Sequence, residues 1–305
     1  MNKNIEIFSK IDNFLKKKSQ KDKIIVIYGP TACGKTGVGI EISKYIKSEI
    51  ISTDSRQIFE YLDIGTGKVT LDESDGIIHH MIDIINPDME FSVGEFKKEA
   101  LKIIGKIQKK GKIPILVGGT GLYIDSLIYD FNIPKAPEDK KLRLELEQKA
   151  LDFGKKYVWD ILNEIDPKYA REVHYNNLNY VIRGIEVKKL TGLSKLDFKT
   201  EKNLKFDTFF YTPYFGDRLA LYNKINLRIK QMFDFGLVNE VKNILKMGYK
   251  KTDFGLKTIG YKEVIEYLDE KITLDECVEI VSRHNRNYAK RQLTWFRKYE
   301  ENNQI

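Results

Sequence analysis

Lys23-Ile24-Ile25-Val26-Ile27-Tyr28 runs directly into Gly29-Pro30-Thr31-Ala32-Cys33-Gly34-Lys35-Thr36, and the reading of this stretch decides the fold. A short, continuous apolar run rich in β-branched residues is the pattern of a strand buried on both faces of a parallel sheet. The eight residues after it match G-x-x-x-x-G-K-[ST] and stand where the motif must stand, between a strand and a helix. Backbone N–H groups and the helix N-terminus form an anion cradle, Lys35 adds a point charge, and the Thr36 hydroxyl is placed to ligate Mg²⁺. Gly29, Pro30, Thr31, Ala32, Cys33, Gly34, Lys35 and Thr36 are therefore the candidate phosphate-binding residues. The motif taken alone is a nucleotide-binding, ATP-type signature.

Outward from this loop, Val38, Ile42, Tyr45 and Ile46 keep helical spacing over Gly37 to Lys47, and Glu49 to Thr53 reads as a second strand ending at Asp54. Ser92 with Glu95 three residues on forms a capping box that opens a helix from Phe91 to Lys110, and Ile113 to Val117 reads as a strand closed by Gly118-Gly119. Alternating strands and helices specify an α/β fold: a P-loop NTPase-like parallel sheet with helices on both faces and ligands beyond the C-terminal strand ends. At Ile133-Pro134-Lys135-Ala136-Pro137 the composition shifts, and helical periods without strand runs follow to about Leu196. Asp207 to Tyr214 reads as a return to the sheet, and Asp217 to Tyr299 as mostly helical, with breaks at Gly236, Gly248 and Gly255 to Gly260. The expected organisation is an N-terminal helical extension (1–22), a discontinuous catalytic core (23–134 and 205–300), a helical insertion (135–204) and a helical C-terminal region. Internal repeats and low-complexity tracts are absent from the sequence.

The chain has 305 residues, 42% apolar and 31% charged, a composition that supports packed cores, and its length calls for more than one unit. A net charge of +8 favours a polyanionic partner. Cys33 and Cys277 lie far apart and outside any C-x-x-C pair, so neither a disulfide framework nor a Cys-rich zinc site is supported, and no zinc is expected. His79-His80 lacks a third ligand at suitable spacing and reads as ordinary loop or core histidines. Met1 to Lys23 is lysine-rich, with Ile5, Phe8, Ile11, Phe14 and Leu15 at the spacing of one amphipathic helix. It lacks the apolar stretch of a signal peptide, and no run is long and apolar enough to cross a membrane, so a cytoplasmic protein without membrane contact is expected.

A hydrolytic P-loop enzyme usually ends a Walker-B strand in a carboxylate, but here that strand end is Gly118-Gly119-Thr120-Gly121. Thr120 reads either as a donor to a leaving phosphate oxygen or as part of a plain strand-to-helix turn. Asp54, at the other strand end, is open between Mg²⁺ ligand, proton acceptor and helix cap.

Several further segments stand in order along the chain: Thr53-Asp54-Ser55-Arg56-Gln57, Asp63-Ile64-Gly65-Thr66-Gly67-Lys68, His79-His80-Met81-Ile82-Asp83, and Val117 to Tyr123. Val181-Ile182-Arg183-Gly184-Ile185-Glu186-Val187, Arg228-x-x-x-Met232, Thr258-Ile259-Gly260-Tyr261-Lys262-Glu263 and Tyr288 to Arg297 follow. With the P-loop, this set resembles the bacterial tRNA dimethylallyltransferase (IPP transferase) family from about residue 23 to 298. The resemblance implies that the loop holds dimethylallyl diphosphate with Mg²⁺ at Thr36. The acceptor it implies is the N⁶ amine of the adenosine 3′ to the anticodon, in tRNAs reading codons that begin with U. It assigns Asp54 as general base and Lys35, Thr120 and Arg228 as catalytic groups. Its implied tRNA contacts are Asp54, Ser55, Arg56, Gln57, Thr120, Arg143, Asn179, Tyr180, Val181, Ile182, Arg183, Lys257, Thr258, Ile259, Gly260, Tyr261, Lys262, Lys290, Arg291 and Trp295. The partner is the tRNA anticodon stem-loop, with a monomer and no obligatory protein partner expected.

This chemistry suits the residues. A carboxylate that orients a weakly nucleophilic amine and takes its proton lowers the barrier, and a target base inside a stacked loop must flip out to react. Arg283, Arg286, Lys290, Arg291, Trp295 and Arg297 with Tyr288 mix phosphate-binding cations with rings on which bases stack. Three departures stand out: Asn179-Tyr180 replaces an Arg-Arg pair of many family members, Gly67 and Val69 replace Ala and Pro of a Gly-Thr-Ala-Lys-Pro pattern, and Lys230 replaces a frequent Asp. The competing readings are a P-loop small-molecule kinase, an isopentenyltransferase acting on free adenine nucleotides, and a non-catalytic tRNA-binding module.

Overall fold

The computed structural model describes residues 3–130, 134, 136–198 and 201–300. The chain divides into two compact units, one with the bounds Met1–Ile128 and Leu204–Ile305, the other Tyr129–Asn203. Of the prolyl break predicted at Ile133 to Pro137, residues 133 and 135 lie outside the described residues.

In chain order the first unit begins with α1 (Lys3–Lys16), β1 (Lys23–Tyr28), α2 (Lys35–Ile46), β2 (Ile50–Ser52), α3 (Leu71–Ser74), β3 (His79–His80), α4 (Val93–Lys109), β4 (Ile115–Gly118) and α5 (Gly121–Ile128). The second unit holds β5 (Tyr129–Asp130), α6 (Lys140–Phe153), α7 (Lys155–Ile165), α8 (Pro167–Ala170) and α9 (Leu178–Thr191), and β6 (Glu201–Leu204) leads out of it. The first unit then resumes with β7 (Asp207–Tyr211), α10 (Arg218–Asp234), α11 (Leu237–Lys246), α12 (Tyr261–Leu268) and α13 (Leu274–Glu300).

The expected parallel sheet is present, in the order β3-β2-β4-β1-β7, and every neighbouring pair in it is parallel. Side chains alternate across β1 as they must on a pleated strand. Ile25 and Ile27 join Ile7 and Ile11 of α1 and Ile40 and Ile42 of α2 in one core. Tyr28, on the other parity, meets the rings of Phe296 and Tyr299 of α13. The N-terminal helix thus packs through Ile7 and Ile11, with Phe8, Phe14 and Leu15 partly buried beside them; the side chain of Ile5 lies outside the described residues. Ser92 and Glu95 form the predicted capping box at the start of α4.

The first unit departs from the sequence reading at several points. His79-His80 is a two-residue strand paired to β2, too short for any periodicity to announce it. Asp54 to Gln57 opens no helix: the Asp54 carboxylate accepts the Arg56 N–H at 2.8 Å and closes a turn, which removes the helix-cap reading. The return strand stops at Tyr211, before Thr212-Pro213, because proline has no N–H for the ladder.

The second unit packs α6, α7, α8 and α9 on Leu146, Val158, Leu162, Val181 and Ile185, all nearly or fully buried. Its fully buried carboxylate, Glu186, is held by Arg143 and Arg183. The two-stranded β5–β6 sheet was not anticipated; each strand is too short to carry a pattern.

Candidate active site

The sheet order brings the predicted strand ends together. β4 lies between β1 and β2, so the turn after β2, the glycine turn after β4 and the P-loop after β1 share one edge. Backbone bonds tie two of them: Thr53 N–H to Val117 O at 2.8 Å and Thr120 N–H to Thr53 O at 3.1 Å. A Cβ on Gly118 would collide with Thr53, so this approach requires glycine.

The P-loop has the geometry of an anion cradle. Gly34, at φ +92°, precedes α2; α2 has no side-chain cap and no acidic residue in its first turn. Its leading N–H groups and positive dipole end are therefore available to an anion. Ala32 holds φ +62°, a left-handed conformation that costs a non-glycine residue energy and is retained where function demands it.

Two cavities open onto the loop. The smaller, about 80 Å³, is lined by Lys35, Thr36, Ser52, Gln57 and Gln292 among others. The larger, about 310 Å³, is lined by Ser55, Arg56, Ile225, Ile229, Met232, Lys257 and Arg291 among others. Thr31, Asp54, Thr66, Arg228 and Tyr288 line both and form the wall the two share. Asp54 is partly buried there.

Lys35 donates to Pro30 O at 2.7 Å, and Arg228 reaches Thr31 Oγ1 at 3.4 Å. Burial lowers the pKa of both cations; Asp54 pulls the other way on each, and Arg228 further lowers Lys35. Neither cation is in an ion pair with a carboxylate among the described residues. A Cβ on Gly67 would strike the Arg228 guanidinium, which explains why a small residue stands in that loop. The Tyr288 phenol is pushed up to about 12 by burial and by Asp54, and so stays neutral.

Other predicted residues are placed differently. Thr120 lines neither cavity, because its Oγ1 accepts the Ser55 N–H at 3.0 Å and braces the Asp54–Ser55 turn. Gln57 spends its amide within the protein, donating to Gly67 O at 3.1 Å and accepting from Ser52 at 3.0 Å. Lys257, Thr258 and Ile259 line the larger cavity, and Lys262 is exposed. Tyr261 is fully buried, its hydroxyl on Glu240 at 2.5 Å and under the Gly65 N–H at 3.1 Å, so a base contact by its ring is ruled out. The Gly260 N–H is likewise occupied, bonded to Glu263 at 2.7 Å.

In the helical unit Val181 and Ile182 are core residues and present no side chain to RNA, while Asn179 and Tyr180 are exposed. Arg143 grips Glu186 through two hydrogen bonds of 2.9 Å, and Arg183 pairs with the same carboxylate. Lys290, Arg291 and Trp295, with Thr294 and Lys298, line a shallow open depression of about 460 Å³. Arg291 borders both this depression and the larger cavity, its guanidinium 5.6 Å from the centre of the Tyr288 ring. Asn285 and Gln292 were not anticipated as lining residues; with Tyr288, expected only as a stacking ring, they share i, i+3, i+7 spacing on one helix, which was the available signal.

Among the described residues no helix is long and apolar enough to cross a membrane. The IPP transferase family model matches residues 57–299, and an isopentenyl transferase model matches residues 22–90. A tRNA dimethylallyltransferase of Alkaliphilus oremlandii is 48% identical over 282 residues, covering 92% of this chain and 90% of the relative. The solved full-length tRNA isopentenylpyrophosphate transferase of Bacillus halodurans is 41% identical, with a TM-score of 0.65 over 91% of this chain and 87% of that one. A eukaryotic dimethylallyltransferase solved while acting on tRNA is 29% identical, with a TM-score of 0.77 over 90% of this chain and 70% of that one. A family model spanning most of the sequence and relatives of this identity over nearly the whole length lead to one assignment: the chain belongs to the IPP transferase family.

Proposed function

We propose that this enzyme transfers a dimethylallyl group from dimethylallyl diphosphate to the N⁶ amine of the adenosine 3′ to the anticodon, in tRNAs reading codons that begin with U. The observation that carries the reading is the position of Asp54 on the wall shared by a cationic phosphate cavity and a larger cavity of nucleobase size.

In this mechanism the diphosphate sits on the N–H groups at the start of α2, with Lys35 and Arg228 on its oxygens. A flipped adenine occupies the larger cavity beside Ser55 and Arg56. The N⁶ lone pair attacks the allylic carbon, the C–O bond breaks, and diphosphate leaves with the bonding electrons. The N⁶ proton passes to Asp54. Lys35 and Arg228 stabilise the charge that grows on the departing oxygen, and their burial strengthens that effect. Thr120 supports the Asp54 turn in this scheme.

Thr36 opens onto the smaller cavity, and among the described residues no group of three or more His, Cys, Asp or Glu side chains could hold a metal by itself. That sparse oxygen set fits Mg²⁺ that takes its other ligands from diphosphate and water. When bound, Mg²⁺ would neutralise diphosphate charge. Lys290, Arg291 and Trp295 give the anticodon stem-loop a cationic and aromatic face continuous with the adenine cavity through Arg291.

The test is incubation of purified protein with labelled dimethylallyl diphosphate and tRNA, AMP or no acceptor, with and without Mg²⁺. Label is expected in tRNA alone and only with Mg²⁺, at the adenosine 3′ to the anticodon. Label in AMP would instead support a nucleotide-acting isopentenyltransferase.

A further inference from the structure

The β1–β4 ladder ends at Tyr28 and Gly118, so no further strand pairing continues between the P-loop and the turn carrying Gly119 and Thr120. Gln292 of α13 extends the connection. Its Oε1 accepts the Thr31 N–H at 2.8 Å and its Nε2 donates to Gly119 O at 2.9 Å. A side-chain amide thus does what the next backbone peptide of a strand would do, accepting from one loop and donating to the other. The amide is buried, with Gln292 only 5% exposed, and both of its polar ends are used. A buried amide stripped of either partner is costly.

Gly119 completes the arrangement. A Cβ there would strike Gln292 Nε2, the flexible end of a side chain, while its φ is not in the left-handed region. Alanine at 119 would therefore displace the Gln292 amide with little backbone strain. The turn so held also supports the base, since the next residue, Thr120, accepts the Ser55 N–H.

We propose that Gln292 is a positioning residue that holds the diphosphate loop in register with the turn supporting Asp54. The inference rests on the reaction proposed above. Constellations held within about 0.5 Å react, and looser ones lose rate, so the amide sets the distance between leaving group and base through the two loops it joins.

The test compares Gln292→Met, which keeps length and apolar volume, with wild type on tRNA and dimethylallyl diphosphate. The expected result is an unchanged melting temperature to within a few degrees, an unchanged KM for tRNA, and a roughly tenfold rise in donor KM with a roughly tenfold fall in kcat. A folded Gln292→Met protein with wild-type donor KM and kcat overturns the proposal. The cycle of Gly119→Ala and Gln292→Ala tests it independently of that variant's folding. Gly119→Ala should cost activity alone and add nothing in the Gln292→Ala background, whereas additive losses reject the clamp. Wild-type protein that labels no tRNA would count against the proposed reaction itself, a result separate from either variant's.

Discussion

In the helical unit Arg143 and Arg183 close on the carboxylate of Glu186, whereas in the sheet unit Lys35 and Arg228 face one cavity with no carboxylate in ion-pair contact among the described residues. Both sets are partly or fully desolvated, yet only the first is electrically complete. A cation that burial depresses, crowded by a second cation, raises the energy of the free protein and is relieved by an arriving anion. On the proposed reaction, the difference separates arginines that build a fold from cations that receive the diphosphate. The sequence reading treats all four as functional residues, Lys35 and Arg228 as catalytic groups and Arg143 and Arg183 as tRNA contacts, and does not show which of them a carboxylate already holds.

The comparison breaks most sharply at the carboxylate beside the incomplete set. Asp54→Ala should lower kcat by about 10²–10⁴, the range for loss of a general base, while calorimetry finds diphosphate affinity near wild type. Comparable turnover in this variant would remove Asp54 from the mechanism.

Truncating one cation from each set should give opposite outcomes. Arg228→Ala is expected to lose about 10²–10³ in kcat, the effect of removing one preorganised charge stabiliser, with no drop in melting temperature. Arg143→Ala with Arg183→Ala strands a fully buried carboxylate and should destabilise the helical unit by about 3–5 kcal/mol. Denaturant unfolding reads that loss, and diphosphate binding should survive it. A double variant of normal stability with weak tRNA binding would show that these arginines serve RNA after all.

The pH dependence of each set sharpens the contrast further. Burial places the Lys35 pKa below its ordinary 10.5, so the lysine loses its proton, and diphosphate affinity falls, at lower pH than a free lysine would allow. In Lys35→Arg that alkaline decline should vanish from a titration of affinity against pH.

The smallest effect concerns Glu186. Burial alone would raise its pKa, but the hydrogen bonds of Arg143 and Arg183 outweigh it and hold the carboxyl low. Its folded pKa lies below the unfolded value near 4.5, so its stabilisation is present above that value and is lost as pH falls below it. Thermal melts of Glu186→Gln should therefore show a shallower loss of stability with acid than wild type.

Local chemistry made much of this chain legible. The run from Lys23 to Tyr28, the glycine loop, the Ser92–Glu95 box and the helical spacing after Asp217 depend on residues within a few positions of one another, and each reappears as β1, the P-loop, α4 and the C-terminal helices. A strand ending in a turn marked the P-loop residues and placed Asp54 at a strand end, while the role expected of Asp54 came from the family resemblance. What tertiary structure alone decided lies at long range. Thr31 meets Gln292 across 261 residues, and no pattern within either segment encodes that meeting. Packing turned Tyr261, Val181 and Ile182 inward, although their neighbours Lys262 and Tyr180 remain exposed. Pairing to β2 made a strand of His79-His80. Propensity and motif act along the chain, but which face is buried and which distant amide completes a loop depend on the assembled packing, which sums contacts from every element at once.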